Sequence, residues 1–237
     1  YLIGSRDQAT VLDASVSPKV YLELAQLAGR KITNVLDTHV HADHLSRSRQ
    51  LAEICGATLR LPEQKRVRYS FAPLGEGDVI DIGGARLTVL QTPGHTPEST
   101  CYLLDSEALF TGDTLFLSGV GRPDLETTAP GARQRAEQLH ASLQRLVKLP
   151  AETIILPGHT NQAADFDGIP LSAPLSEVSQ RIAHLHLPLN DFVKWILARI
   201  PPTPPNHHQI VRLNEQGLWP EGDPTDLEAG ANRCAVS

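Results

Sequence analysis

Thr38-His39-Val40-His41-Ala42-Asp43-His44 is the stretch of this sequence that decides its interpretation. It follows residues 32–37, Ile-Thr-Asn-Val-Leu-Asp, a β-branched and partly apolar run that predicts a strand. Three imidazoles and a carboxylate therefore crowd onto the turn that leaves this strand. Histidine is the commonest metal ligand in proteins, and neutral imidazole suits zinc, iron, copper and nickel. The spacing His-x-His-x-Asp-His predicts a metal site, provided that further ligands come from elsewhere in the chain.

Composition narrows the classes of protein that this chain can represent. Its 237 residues suit one large domain, or one domain with an appendage, and 41% hydrophobic with 20% charged residues is ordinary for a globular protein. The net charge of -6 gives no support for a nucleic-acid partner, which usually leaves a basic footprint. No apolar run approaches the roughly 18 residues that span a membrane. We therefore expect neither a nucleic-acid partner nor a membrane.

Cysteine usage and the first residue bear on location. Cys55, Cys101 and Cys234 lie far apart and form no Cys-x-x-Cys pair, which is typical of a reducing compartment. We expect a cytoplasmic, bacterial-type protein. Because the chain opens with Tyr1 and contains no Met, its natural N-terminus is expected to be missing, and a removed targeting peptide remains open.

The hydrophobic pattern predicts a layered α/β domain. Ser17 and Pro18 predict the start of a helix that Gly29 ends. Gly83-Gly84 predicts a hairpin turn between two strands, and residues 131–148 form the clearest amphipathic helix. Two shorter helices are predicted after residue 170. Residues 201–205, Pro-Pro-Thr-Pro-Pro, are then expected to begin an extended tail.

Three further predicted strands end in metal-ligand residue types. Apolar runs lead, through turns that contain glycine, to His95, Asp113 and His159. Strand ends at the rim of a sheet are where α/β proteins place their sites. One such ending would carry little weight, but four in one chain predict a shared site.

These residues together give the chain a specific resemblance. The set His39-x-His41-x-Asp43-His44, His95, Asp113 and His159 resembles the metallo-β-lactamase fold superfamily, from about Tyr1 to about Gly168. The resemblance implies a four-layered αββα sandwich with the metal site at one edge of its two sheets. We expect residues 1–170 to form this catalytic core. Residues 171–237 are expected to form C-terminal helices and a proline-rich, extended tail packed on it.

Within the superfamily, residues 119–125, Gly-Val-Gly-Arg-Pro-Asp-Leu, look like the persulfide dioxygenases. Glyoxalase II enzymes usually have Gly-Arg followed by aromatic residues and Glu at that place. The chain departs from the common pattern at Ser46, where Gly is frequent, and at residues 97–99, Pro-Glu-Ser. These changes concern the mouth of the site, and therefore the exact substrate.

The dioxygenase resemblance implies one Fe(II) per chain, held by His39, His95 and Asp113 as two histidines and a carboxylate. His41, Asp43, His44 and His159 would then bind to ligands, water or substrate through hydrogen bonds. Asp43 and His44 are the candidate catalytic groups among them. The implied reaction oxidises glutathione persulfide, or a similar small persulfide, with O2 to sulfite and thiol.

The glyoxalase II-type alternative is a thioester hydrolase that holds two Zn(II). One metal would then be bound by His39, His41 and His95, the other by Asp43, His44 and His159, with Asp113 between them. A third class, a non-catalytic protein that uses the metal as a structural clip, is also considered. It predicts that Asp113→Ala unfolds the chain.

Three residues are candidates for supporting roles around the ligands. Asp37 either orients a ligand histidine or caps the strand-end turn. Arg122 and Asp124 are predicted to form an ion pair that holds the loop beside Asp113, with direct substrate contact as the alternative. The expected partners are the small-molecule substrate and O2, with a homodimer left open.

Overall fold

The computed structural model describes residues 1–160, 168–229 and 233–237. They fall into two compact units. The first unit contains Tyr1–Val89 and Pro205–Gly230, and the second contains Leu90–Pro204 and Ala231–Ser237.

The described residues contain both strands and helices, with a run of seven strands from Thr58 to Gly121. The strands are β1 (Leu2–Ser5), β2 (Gln8–Leu12), β3 (Lys31–Leu36), β4 (Thr58–Pro62), β5 (Ala72–Leu74), β6 (Val79–Ile82), β7 (Ala85–Gln91), β8 (Thr100–Leu104), β9 (Ala108–Gly112), β10 (Val120–Gly121), β11 (Ile154–Pro157), β12 (Ala173–Pro174) and β13 (Ala235–Val236). The α-helices are α1 (Pro18–Leu27), α2 (Ser48–Cys55), α3 (Ala129–Leu146), α4 (Leu175–Arg181), α5 (Leu189–Leu197), α6 (His207–Gln216) and α7 (Thr225–Glu228). A 3-10 helix, Ala183–His186, lies between α4 and α5.

The first unit is built on a sheet with the strand order β1-β2-β3-β4-β5. β1 and β2 are antiparallel, whereas β2, β3, β4 and β5 run parallel. Parallel neighbours need a crossover, and α1 and α2 provide it before and after β3. Leu12 lies opposite Leu36, so β2 and β3 end side by side at one edge of the sheet.

Two local predictions in this unit are confirmed. Helix α1 begins at Pro18, as expected for proline in a first turn, and the chain leaves it at Gly29, whose φ is 64°. β6 and β7 form the predicted antiparallel hairpin around Gly83-Gly84. At Gly83, φ is 62° and an added Cβ would lie 2.6 Å from the carbonyl oxygen of Ser5, so glycine is required there.

In the second unit, strands pair in the order β12-β11-β9-β8. β9 and β11 are parallel, with Leu156 opposite Phe110, so they too end at the same edge. Helix α3 was predicted at residues 131–148 and lies two residues earlier, because Thr128 caps it by accepting a hydrogen bond from the Gly131 amide. Its apolar face packs into the core of this unit, and its buried members include Ala136, Leu139 and Leu143.

An extended tail is predicted from residue 201 onwards, but His207–Gln216 form the helix α6, so the prediction is wrong for these residues. Proline blocks a helix that precedes it but not one that begins beyond it, and α6 starts directly after Asn206. Ile210, Val211 and Asn214 are buried at helical spacing. His207 at the start of this helix is buried as well.

The domain boundary predicted at residue 170 coincides with none of the three places where the chain passes from one unit to the other. Residues 205–230 belong to the same compact unit as the chain's first 89 residues. As a statement about separately folding domains, the boundary at 170 stays a prediction. Within the described part of the chain, none of the helices combines the length and the hydropathy that crossing a bilayer requires.

In the second unit, the packing of His184 makes the stability of the fold depend on pH. Its ring stacks on Trp195 with centroids 3.6 Å apart and planes 18° from parallel. Burial, and then the positive charge of Arg199, lower the pKa of His184 from 6.5 to about 4. The unfolded chain therefore binds a proton at this histidine more readily than the folded chain does.

We expect the free energy of unfolding to fall as pH drops from about 6.5 towards 4, since the folded pKa is the lower one. His184→Phe keeps an aromatic ring against Trp195 but removes the titrating group, so its stability should fall less between pH 7 and pH 5. Urea unfolding at both pH values measures the difference. His186→Phe, an exposed neighbour, is the control and should retain the wild-type loss; equal losses in all three proteins would contradict the assignment.

Candidate metal centre

Each candidate ligand segment follows a strand that the structure contains. The histidine motif leaves β3, His95 follows β7, Asp113 directly follows β9, and His159 follows β11. In the first unit the motif residues His39 and His41 are each 3% exposed, although the segment itself contains no helix or strand. A buried, irregular segment rich in imidazole is costly unless its polar groups find partners.

The motif side chains crowd together within the first unit. The His41 ring centroid lies 4.3 Å from that of His39 and 4.2 Å from that of His44. The Nδ1 atom of His44 is 3.1 Å from Oδ2 of Asp43. His41, Asp43 and His44 each offer a ligand atom, and these atoms all lie within 4.8 Å of one another. Three donors at such spacing can share one ion.

Asp13 is a site residue that the sequence analysis missed. It follows β2 with a left-handed φ of 52°, and its Oδ1 accepts a hydrogen bond of 2.7 Å from the Thr38 amide. The same carboxylate oxygen lies 3.1 Å from Nε2 of His41. The signal was available, because an aspartate directly follows β2 as it follows β3 and β9. Two adjacent parallel strands thus each deliver an acidic residue to the motif.

Charge in this cluster is strongly coupled. Burial alone would lower the pKa of His41, but the charge of Asp13, its hydrogen bond, and the charges of Asp37 and Asp43 raise that pKa to about 10. Burial alone would raise the pKa of Asp13, but the charge and hydrogen bond of His41 lead the effects that lower it to about 2. In the metal-free chain, His41 and Asp13 therefore form a buried ion pair.

Asp37 binds the far end of the motif segment. Its carboxylate accepts hydrogen bonds from the hydroxyl groups of Ser46 and Ser48. Burial, supported by the nearby charge of Asp13, raises the pKa of Asp37 despite its contacts with His41 and the serines. Ser46, where the sequence departs from the common glycine, thus contributes a hydroxyl that helps to fix the loop.

In the second unit, His95 and His159 both approach Asp113. Nε2 of His95 lies 3.6 Å from one carboxylate oxygen of Asp113, and Nε2 of His159 lies 3.2 Å from the other. Nδ1 of His95 donates to the carbonyl oxygen of Arg122 at 2.8 Å, since a carbonyl can only accept. Neutral His95 therefore keeps its lone pair on Nε2, the atom that faces Asp113.

Glycines allow the backbone to approach Asp113 closely. A Cβ at Gly158 would lie 2.7 Å from Oδ1 of Asp113, and one at Gly121 would collide with the carbonyl oxygen of Asp113. The same Cβ at Gly121 would be 3.0 Å from Cβ of His95. Larger residues at either position would push the Asp113 segment out of place.

Arg122 secures the loop that His95 binds. The predicted ion pair with Asp124 is present and bidentate, with both nitrogen–oxygen distances at 2.7 Å. The Arg122 side chain is fully buried and also donates to the carbonyl oxygens of Pro202 and Arg233, while its backbone amide donates to Cys234. These contacts occupy the guanidinium, which favours the structural role over direct substrate contact.

The donors present fit a bound metal ion. Nδ1 of His41 and Nε2 of His44 are buried without a hydrogen-bond partner among the described residues. A metal ion could replace the proton on Nδ1 of His41 and bind the lone pair on Nε2 of His44, so both nitrogen atoms fit coordination. In the second unit, a histidine with its lone pair on Nε2 faces a carboxylate, which is also a suitable donor set. Each unit thus holds its own cluster of ligand-type groups.

Comparison with known proteins agrees with this chemistry. Residues 1–159 match the family described as the Metallo-beta-lactamase superfamily. A curated relative, hydroxyacylglutathione hydrolase from Acidiphilium cryptum, is 38% identical over 140 residues, which cover 58% of this chain and 54% of that protein. The match thus spans about half the length of this relative.

Solved structures extend the likeness. A metallo-beta-lactamase from Staphylococcus aureus has a TM-score of 0.82 at 28% identity and covers 92% of this chain and 68% of its own. ETHE1 from Myxococcus xanthus has a TM-score of 0.78 at 31% identity, with 91% and 92% covered. TTHA1623 in a di-iron-bound form has a TM-score of 0.58 at 27% identity, with 77% and 92% covered. The predicted fold class, an α/β sandwich of this family, is confirmed.

Removing Asp124 should leave the fully buried Arg122 guanidinium without its carboxylate. We expect Asp124→Ala to lower the free energy of unfolding by about 3 kcal/mol, the cost typical of breaking a buried ion pair. Urea denaturation measures it. The matched control is Glu137→Ala, which removes the carboxylate of the exposed pair Arg133–Glu137 and should cost less than about 1 kcal/mol. Equal costs at the two positions would contradict the structural role of Arg122.

Proposed function

Because the chain belongs to the metallo-β-lactamase superfamily, whose members bind metal ions, we propose that it is an iron-dependent persulfide dioxygenase. Its substrate would be glutathione persulfide or a similar low-molecular-weight persulfide. The reaction balances as persulfide plus O2 plus water giving thiol, sulfite and two protons. The terminal sulfur is oxidised, O2 is reduced, and the sulfur–sulfur bond is broken.

The observation that carries the proposal is the loop of residues 119–125. Its sequence resembles the dioxygenase branch, and its backbone touches two of the proposed ligands, because Arg122 accepts the His95 hydrogen bond and Gly121 packs on Asp113. The likeness to ETHE1 supports the same branch, since it extends over nearly all of both chains.

We assign the iron to His39, His95 and Asp113. All three are almost fully buried, and together they supply two imidazoles and one carboxylate, the facial set of non-haem Fe(II) oxygenases. Bound Fe(II) would supply redox chemistry and open coordination positions for a sulfur anion and O2. The hydrogen bond from Nδ1 of His95 to Arg122 orients its Nε2 as a ligand.

The remaining motif residues would hold protons and charge. Asp43 accepts from Nδ1 of neutral His44, which leaves the lone pair on Nε2 of His44. That atom can accept a proton from water or persulfide during the reaction. His41 and Asp13 would keep a fixed positive and negative charge close to it. His159, whose Nε2 lies 3.2 Å from Oδ1 of Asp113, would support that ligand.

The proposal includes a cytoplasmic location, since Cys55, Cys101 and Cys234 lie far apart and form no Cys-x-x-Cys pair, a usage typical of a reducing compartment. The co-substrate is O2.

A second candidate, a dinuclear zinc thioester hydrolase, is favoured by one specific observation. Among the described residues, the buried Nδ1 of His41 and Nε2 of His44 have no hydrogen-bond partner, and each could bind one of the two metal ions. The hydroxyacylglutathione hydrolase relative points to the same class. In that case the bound Zn(II) would supply a water of lowered pKa for hydrolysis of the thioester, and no O2 would be used.

Metal content and oxygen uptake distinguish the two candidates. We expect the protein to bind one iron per chain after anaerobic loading, and to consume O2 when glutathione persulfide is added. Elemental analysis and an oxygen electrode measure both quantities. Two zinc ions per chain, with thioester cleavage and no O2 uptake, would establish the hydrolase instead.

His44→Asn tests the role of the motif beyond the ligands. We expect persulfide oxidation to fall about 10–100-fold with iron still bound, because residues that support a metal site typically have effects of that size. Loss of iron together with activity would show that His44 is itself a ligand. Asp113→Ala should lose iron while circular dichroism still shows a folded chain, and unfolding of this variant would support a structural metal clip.

A further inference from the structure

Asn214, on α6, lies far from the motif in sequence but is bound directly to it within the first unit. Its side-chain nitrogen donates to the carbonyl oxygens of His41 and His44, each at 2.9 Å. Its side-chain oxygen accepts from the Ser46 amide, also at 2.9 Å. The two donors of the carboxamide and its acceptor oxygen are thus all used on one segment, and the residue is only 8% exposed.

The segment needs these hydrogen bonds because it has no regular secondary structure of its own. Residues 38–45 lie outside any helix or strand, so their carbonyl and amide groups have no ladder partners. A buried carbonyl without a partner is destabilising, because it loses its hydrogen bonds to water. Asn214 satisfies two such carbonyls at once and so restricts the peptide planes of His41 and His44. The peptide planes in turn set the directions of both imidazoles.

Only an amide side chain of this length meets the requirement. Aspartate has the same shape, but it would turn an acceptor oxygen towards two carbonyl oxygens and so repel them. Alanine would leave two carbonyls and one amide without partners. The other contact from the chain's C-terminal part, Glu228, binds the Leu45 amide and Arg47, beyond the four ligand-type residues.

We propose that Asn214 is a positioning residue for the metal motif, whose carboxamide fixes the backbone at His41 and His44 and thereby sets the metal affinity of the site. The proposal rests on the proposed function only in requiring that the motif serves a metal ion. With two zinc ions Asn214 would position two ligands directly, and with one iron it would position His41 and His44 as groups that support the ligands. α6 is thus part of the site although it contributes no ligand.

The test measures metal binding and not activity. Apo protein is titrated anaerobically with Fe(II), and separately with Co(II), against a competing chelator. Asn214→Asp should weaken the metal affinity about 10–100-fold, the range typical of residues that support a metal site. It should also change the visible absorption spectrum of bound Co(II), which reports the ligand geometry. Asn214→Ala should weaken binding as well.

Asn34→Ala is the matched control. Asn34 is 6% exposed and lies on β3, and its hydrogen bonds go to Thr33 and Arg60 rather than to the motif. This variant should lose stability while keeping the metal affinity and the Co(II) spectrum of the wild type. If Asn214→Asp binds metal like the wild type, or if Asn34→Ala weakens binding equally, the positioning role is overturned.

Two further outcomes distinguish a failure of the proposed function from a failure of the inference about Asn214. A wild-type chain that binds neither metal would overturn the proposed function together with the inference, whereas a normal wild type with an unaffected Asn214→Asp overturns the inference alone. If both Asn214 variants fail to fold, hydrogen exchange in the wild-type apo protein decides. The Ser46 amide should exchange as slowly as amides inside β3, and exchange at the rate of a free peptide would overturn the proposal.

Discussion

The first unit depends on one constraint, which is that a buried backbone segment without helix or strand must find partners for its polar groups. Residues 38–47 carry the histidine motif, and a helix or strand there could not gather so many ligand-type side chains in so short a stretch. Each polar backbone group must therefore find a partner elsewhere. Asp13 accepts from Thr38, Asn214 bridges His41, His44 and Ser46, and Glu228 accepts from Leu45. Side chains at the end of β2 and on the C-terminal helices thus supply the hydrogen-bond partners that the irregular segment needs.

In the second unit, a backbone carbonyl group and two glycines hold the ligand-type residues in place. Each of its ligand-type residues follows a different strand, so each residue needs few supporting contacts. The carbonyl oxygen of Arg122 fixes His95, and Gly121 and Gly158 let the chain pass close to Asp113. Arg122 itself is held by Asp124 and by carbonyl groups from the chain's last segments. The geometry of this loop therefore depends on a buried guanidinium whose hydrogen bonds go to protein groups.

Much of this arrangement could be predicted from the sequence, because it is local. The strand before each ligand-type residue, the Gly83-Gly84 hairpin and α3 all follow from short-range periodicity and turn chemistry. The Arg122–Asp124 pair was also predictable, since its members are two residues apart. Asp13 was missed although β2 ends as the other strands do, because its role depends on which strand lies beside β3.

Asn214 and Glu228 were beyond prediction for a different reason. They lie more than 160 residues from the backbone groups that they bind, and no pattern of spacing encodes such contacts. α6 itself was missed because the proline run before it was interpreted as the start of an extended tail. The choice between iron and zinc could not be predicted from the sequence either, because histidine and carboxylate bind both metals.

The ratio of oxygen consumed to sulfite formed tests the central claim most directly. With iron-loaded protein and glutathione persulfide, the account predicts one O2 consumed for each sulfite and each thiol released. No consumption of O2, together with hydrolysis of a glutathione thioester by the zinc-loaded protein, would contradict it.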